Sequence, residues 1–171
     1  MFDPRAACCF SGYRPEKFHN SGISPEEGYD RMYTLLERAI HDAADAGCTC
    51  FLTGMSRGFD LWAAEAVLRA RQKRPLKLFC CLPYERQSAD WEPVWRALHT
   101  RVLLAADHTY CLSPSYYPGC YHERNRFMVD AASRLICWYD GAPGGTAYTL
   151  DYARKKGLTI VNLADRQLSL F

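Results

Sequence analysis

The chain has 171 residues, of which 49% are hydrophobic and 23% charged, with a formal net charge of +2. That length holds one full α/β domain and not two, and the charge is too small for an extended nucleic-acid footprint, although a local basic patch is compatible with it. No apolar run approaches a membrane span, and Met1-Phe2-Asp3-Pro4-Arg5 lacks the apolar region of a signal peptide. The expectation is a cytoplasmic protein with no membrane partner.

The nine cysteines include no Cys-x-x-Cys pair. Cys8, Cys9, Cys48, Cys50, Cys80, Cys81 and Cys137 lie within or beside apolar runs, where thiols behave as small buried hydrophobes. An odd count without a secretory signal argues against a disulfide framework. The best metal candidates, Cys111, Cys120 and His122, have a spacing that fits no common zinc pattern.

In chain order, residues 6–10 form the first strand, followed by the turn Ser11-Gly12-Tyr13-Arg14-Pro15. Ser24 caps a helix that has Pro25 at its first position and Glu27 three residues on, and Gly47 stops it. Residues 49–53 are the second strand, which runs into Thr53-Gly54-Met55-Ser56-Arg57-Gly58-Phe59-Asp60 and a helix from Asp60. Residues 76–82 are the third strand, 91–105 a helix and 108–112 the fourth strand. A helix opens at Tyr121 or His122. Residues 135–139 are the fifth strand, leading into Asp140-Gly141-Ala142-Pro143-Gly144-Gly145-Thr146. A helix over 146–156 and a sixth strand over 159–163 complete a single domain, 1–164, with a tail over 165–171.

Short apolar strands alternating with helices predict a parallel sheet buried on both faces, in a Rossmann-like, doubly wound α/β sandwich. Ligands in such folds collect at the carboxyl ends of the strands, where the strand order reverses. All three glycine turns fall at such ends, where backbone N–H groups and a helix N-terminus favour phosphate. The ligand expected is therefore a nucleotide or a related phosphate.

Gly54 and Gly58 bracket Ser56 and Arg57, which reads either as a phosphate loop with the Ser56 hydroxyl as donor or as a tight turn that needs glycine. Asp60 is a ligand contact or a helix cap. Gly144 and Gly145 let a phosphate lie against the main chain, and Thr146 adds a hydroxyl. Asp140 reads as a ribose acceptor or as a turn cap. Arg14 stands in the first turn. Arg124, with Asn125 beside it, sits unfavourably near a helix start, so it binds an anion or pairs with Glu123 or Asp130. Pro83-Tyr84-Glu85-Arg86-Gln87 and Tyr116-Tyr117-Pro118-Gly119 are walls on which a base stacks, or ordinary loops. No spacing marks an acid–base pair.

Gly54-Met55-Ser56-Arg57-Gly58-Phe59-Asp60, Arg124-Asn125-Arg126-Phe127-Met128-Val129-Asp130 and Tyr139-Asp140-Gly141 with Gly144-Gly145-Thr146 resemble the YpsA-like branch of the SLOG superfamily. That superfamily also contains the DNA-processing protein DprA and the LOG-type nucleotide phosphoribohydrolases. The resemblance covers nearly the whole chain and implies a Rossmann-like sandwich with a nucleotide-related ligand (ADP-ribose, NAD or a nucleoside phosphate) at the turns. It also assigns Ser11, Gly12 and Gly141 to the site. The enzymatic relatives share an Arg-x-x-x-Met helix, matched by Arg124 and Met128, and a glutamate shortly after the turn's threonine. Here Ala147 and Tyr148 follow Thr146, so a binding or sensing module is the first reading. A nucleotide-cleaving enzyme is the second, and a DprA-like DNA-binding protein the third. No cofactor is implied beyond the nucleotide-related ligand.

Gln167-Leu168-Ser169-Leu170-Phe171 resembles the peptide by which bacterial replication and repair proteins dock on the DNA polymerase sliding clamp. Leu170 and Phe171 would fill an apolar pocket, Leu168 would flank them and Gln167 would set the register. The alternative is an amphipathic tail folded back over the last strand.

Overall fold

The first strand of the chain lies at the middle of the sheet. In a computed structural model that describes residues 2–18 and 24–168 (166–168 by backbone course alone), β1 (Ala7–Ser11) is buried along its whole length. It pairs in parallel with β2 (Cys50–Thr53) on one side and β5 (Arg134–Cys137) on the other, so that Cys8 stands opposite Phe51 and Arg134. β3 (Lys77–Leu82) and β4 (His108–Cys111) extend the sheet beyond β2, and β6 (Thr159–Asn162) flanks β5. The order β4-β3-β2-β1-β5-β6 is parallel throughout. This is the doubly wound α/β architecture that the alternation of strands and helices predicts.

Period-two alternation sends strand side chains into two separate cores. Cys8, Phe10, Phe51, Leu78, Cys80 and Ile136 enter a core shared with α1 (Pro25–Asp45), α2 (Phe59–Ala70) and α3 (Pro93–Ala105). Ala7, Cys9, Leu52, Cys81, Leu135 and Cys137 enter the other, with α4 (Cys120–Asp130) and α5 (Gly145–Lys155). The seven strand-associated cysteines are all buried. Cys120 is buried too, whereas Cys111 is exposed and His122 packs on Tyr148. Among the described residues, no group of three or more His, Cys, Asp or Glu could hold a metal ion.

Three expectations need correction. The edge strands are not buried on both faces: His108, Thr109, Cys111 and Thr159 are exposed. The sixth strand ends at Asn162, and a short helix, α6 (Leu163–Leu168), begins there instead. Asn162 starts it by accepting the Ala164 N–H through Oδ1 and donating through Nδ2 to Asp165. The helix runs into the stretch read as a tail. Ser169, Leu170 and Phe171 lie outside the described residues. The capping box at α1 is half formed: Ser24 Oγ accepts the Glu27 N–H at 3.1 Å, but the Glu27 carboxylate turns to Arg31.

Because β2, β3 and β4 are laid outward from β1 and the chain then returns to place β5 on its other side, strand order reverses between β1 and β5. The connections leaving these two strands diverge and open a crevice.

Candidate functional site

That crevice is a cleft of about 370 Å³. Of the residues expected at a site, Ser11, Gly12, Arg14, Ser56, Asp60, Arg124, Asn125, Gly145 and Thr146 line it. Phe10, Tyr13, Glu16, Lys17 and Tyr121 complete its walls.

Its floor is a buried polar cluster. Arg124 is 3% exposed and points from the first turns of α4 beneath the second glycine turn. Its Nη1 donates to the carbonyls of Gly54 and Cys81, its Nη2 to Ser56 Oγ at 3.4 Å, and its Nε to Asn125 Oδ1 at 2.8 Å. Four of the five guanidinium N–H donors are thus engaged by the protein. Glu123 bonds to Tyr117, and Asp130 to Lys156 and Tyr152, so neither carboxylate pairs with Arg124. Its counter-charge is Asp60, 6% exposed, whose Oδ2 accepts the Ser56 N–H at 3.3 Å. Burial pushes the Asp60 carboxyl up to about 6, against the opposing pull of Arg124, the Ser56 amide and Arg14. Burial likewise pulls the Arg124 pKa down, and Asp60 opposes that shift.

The backbone that holds this cluster is strained. Met55 has φ +62°, alone among the described non-glycine residues in being positive, and its fully buried side chain in the α1–α3 core holds it there. A Cβ on Gly54 would lie 2.6 Å from the Arg124 guanidinium carbon. Gly58 has φ +85°, and a Cβ there would lie 2.6 Å from the Tyr13 carbonyl oxygen, which accepts the Phe59 N–H. Gly54 and Gly58 therefore stand behind the cleft as packing glycines and do not line it.

The third turn is built differently. Gly145 begins α5, and its N-cap residue, Gly144, supplies no side-chain hydrogen bond. Nothing lies within 4 Å of where a Gly145 Cβ would stand, and the cleft opens there. Lys17, in the 3-10 turn Pro15–Lys17, reaches across to donate to the Pro143 carbonyl at 2.7 Å and passes over the Tyr13 ring. A Cβ on Gly144 would lie 2.5 Å from its Nζ. An ammonium thus sits beside the positive end of an 11-residue helix, an arrangement that repels unless an anion lies between the charges.

Four other expected residues stand outside the cleft lining. Arg57 turns outward to Glu16 at 2.6 Å and Glu92 at 3.5 Å. Asp140 accepts from the Tyr13 hydroxyl at 2.6 Å and from the Ala142 N–H, which holds the turn to the first loop; Gly141 follows it on the far side. Gly144 serves Lys17. Lys17 and Tyr121 carry no sequence signal for a site. Lys17 stands in no motif, and its place depends on the fold bringing residues 15–17 to 143–145. Tyr121 reads from sequence as a helix start alone. Its ring has Arg14 at 5.2 Å and Arg124 at 5.7 Å, so it spaces two like charges.

Residues 8–162 match the family model described as the YspA SLOG family, YpsA. The chain belongs to this family. Among YpsA relatives, it is 29% identical over 146 residues to a UPF0398 protein of Halalkalibacterium halodurans, covering 82% of this chain and 77% of that one. It is 28% identical over 153 residues to a UPF0398 protein of Bacillus cereus, covering 86% and 82%. DNA processing protein A (DprA) of Streptococcus pneumoniae shares the fold at TM-score 0.60 and 14% identity; the match spans 92% of this chain and about half (49%) of that one. The Helicobacter pylori DprA, whose single-stranded DNA binding mode its structure addresses, gives TM-score 0.58 and 16% identity over 98% and 73%. The protein TM1055 gives 0.54 and 14% over 94% and 78%. The likeness to these solved structures shows the fold alone. Among the described residues, no helix is long and apolar enough to cross a membrane.

Proposed function

We propose that the cleft binds a nucleotide-related ligand, with a phosphate at the Gly145–Thr146 end of α5, and that the protein is a binding or sensing module. The observation that carries this reading is the empty space at Gly145, bounded by an uncapped helix N-terminus and the Lys17 ammonium, with Arg14 in the same lining. Backbone N–H groups and two cations there meet what a phosphate requires. Calorimetry with AMP, NAD, ADP-ribose and ribose 5-phosphate tests it. At least one should bind, and Gly145→Leu, whose side chain would enter open space and leave the fold intact, should abolish binding. No heat with any of the four, or binding unchanged in Gly145→Leu, overturns the reading.

The absence of an acid just after Thr146 argues for binding without turnover. Ala147, Tyr148 and Thr149 carry no carboxylate, and Thr149 donates its hydroxyl to the Gly145 carbonyl. Incubation with nucleoside monophosphates should release no free base above background. Turnover abolished by Asp60→Asn would favour the nucleotide-cleaving alternative, with Asp60 as its acid. The DprA likeness supports DNA binding only at the level of fold, and the net charge of +2 adds nothing to it.

The clamp peptide stands on its residues alone. Titration of the intact chain with the bacterial sliding clamp should give micromolar binding that Leu170→Ala/Phe171→Ala removes. No binding by the intact chain ends this proposal.

A further inference from the structure

At the rim of the cleft, the loops after β3 and β4 and the first turn of α4 bring three tyrosines together. Tyr121 lines the cleft; its ring lies 6.1 Å from that of Tyr84, with the two hydroxyls 3.3 Å apart. Tyr84 in turn lies 5.7 Å from Tyr116. The rings meet nearly perpendicular, at 81° and 78°, so each leaves a face turned away from its neighbour. Tyr116 is 60% exposed, a large apolar surface given to solvent at the mouth of a polar site. The two ends of this row differ: Tyr121 has Arg14 and Arg124 over its ring, whereas Tyr116 meets Tyr84 alone among the ring and cation contacts of the described residues.

Size decides what such a row is for. At about 370 Å³ the cleft is near the lower end of the ~300–1,000 Å³ common for small-molecule sites, enough for one nucleoside phosphate and not for two. A ligand that fills the cleft and also reaches Tyr116 must be longer than a mononucleotide. Arg14, exposed and part of the cleft lining, stands over the Tyr121 ring at the end of the row that meets the cleft. Residues 112–119, which carry Tyr116, contain no lysine or arginine, and Arg86 is the one cation in residues 83–87, which carry Tyr84, so these two segments offer few charges to a long polynucleotide backbone.

We infer that the Tyr84–Tyr116 wall is a second nucleoside subsite, and that the ligand is a dinucleotide of two nucleosides joined by a pyrophosphate. One nucleoside phosphate occupies the cleft at Gly145, the pyrophosphate passes Arg14, and the distal base packs against Tyr116. This rests on the nucleotide reading of the cleft and selects among its ligands.

The test is calorimetry with NAD, AMP, ribose 5-phosphate and a short oligodeoxythymidine on the wild-type chain, Tyr116→Ala and Tyr84→Phe. Tyr116 is exposed, so its alanine variant should fold as the wild type does, and circular dichroism verifies this. NAD should bind at least tenfold tighter than AMP. Tyr116→Ala should bring NAD to the level of AMP and leave AMP unchanged. Tyr84→Phe, which keeps the ring, should retain the NAD advantage. Equal affinity of NAD and AMP, or an NAD advantage that survives Tyr116→Ala, overturns the second subsite while the cleft reading stands. Oligodeoxythymidine binding tighter than NAD and lost in Tyr116→Ala overturns it in favour of single-stranded DNA. Absence of binding by every probe, ribose 5-phosphate included, removes the cleft reading and the inference together.

Discussion

Asp60 and His99 are buried titratable side chains that bind protons in opposite senses. Burial raises Asp60 from its ordinary 3.8 to about 6, so its contribution to stability is fully present below about 3.8 and is lost as pH rises through about 6. His99, 3% exposed, is pulled by burial from 6.5 to about 4. Its contribution is fully present above about 6.5 and is lost as pH falls toward about 4. Each shift corresponds to about 3 kcal/mol, so between pH 4 and 6.5 the two largely cancel. The wild-type chain should therefore show a shallow pH dependence of stability in that range. Asp60→Asn should expose the His99 slope, with stability falling by about 3 kcal/mol on acidification from pH 6.5 to 4. His99→Gln should expose the reverse. Urea unfolding at half-unit pH steps measures all three, and parallel curves for the three proteins would show that these groups do not titrate with folding. An anion bound beside Asp60 disfavours its ionised form, so nucleotide binding should also take up protons near pH 6, and calorimetry in buffers of different ionisation heat reads that uptake directly.

At the level of elements, the tightest joint is between α1 and α2. Gly28 on α1 faces Trp62 of α2, and a Cβ there would lie 1.9 Å from the ring's Cζ2. Trp62 is 1% exposed and packed against Phe18 and Trp95, so it has little room to move. Gly28→Ala gains about 1 kcal/mol of helix propensity and loses about 1–3 kcal/mol to overpacking. The loss should win, and the urea midpoint should fall; a rise would mean that Trp62 rotates freely. Such joints explain what was legible in the sequence. Alternating short apolar runs and helix punctuation located all six strands, and Ser24-Pro25 placed the start of α1, because these signals are local. The start of α6 was local as well: Asn162, with Asp165 three residues on, is a cap signal hidden by the apolar residues 160–163 before and within it. What sequence could not give was which glycines face a ligand and which make room for a neighbour. Gly54 and Gly145 look alike in a turn, yet one lies against Arg124 and the other opens on space. Lys17 and Tyr121 carry no local signal for the same reason, since Pro143 and Arg14, the partners that place them at the cleft, each lie more than 100 residues away in the chain.

For the whole molecule, the decisive feature is the central position of β1. Cys8 must find Arg134, 126 residues further on, before the sheet is complete. Parallel pairing at that separation carries a high loop-closure cost, and all-parallel sheets fold slowly for that reason. The cleft draws on residues 10–17, 56–60, 121–125 and 145–146, so no single segment contains it. In a refolding experiment followed both by far-ultraviolet circular dichroism and by nucleotide binding, helical signal should return first. Binding competence should appear only with the last phase, when β5 docks beside β1; binding that returned with the helices would contradict this order. β1 thus gains its second neighbour only when a strand 126 residues further along the chain docks beside it, and the cleft is the seam that this docking closes. If the proposed nucleotide binds there, its binding free energy is added to that one late contact, and occupancy should stabilise the completed sheet over any partly docked form.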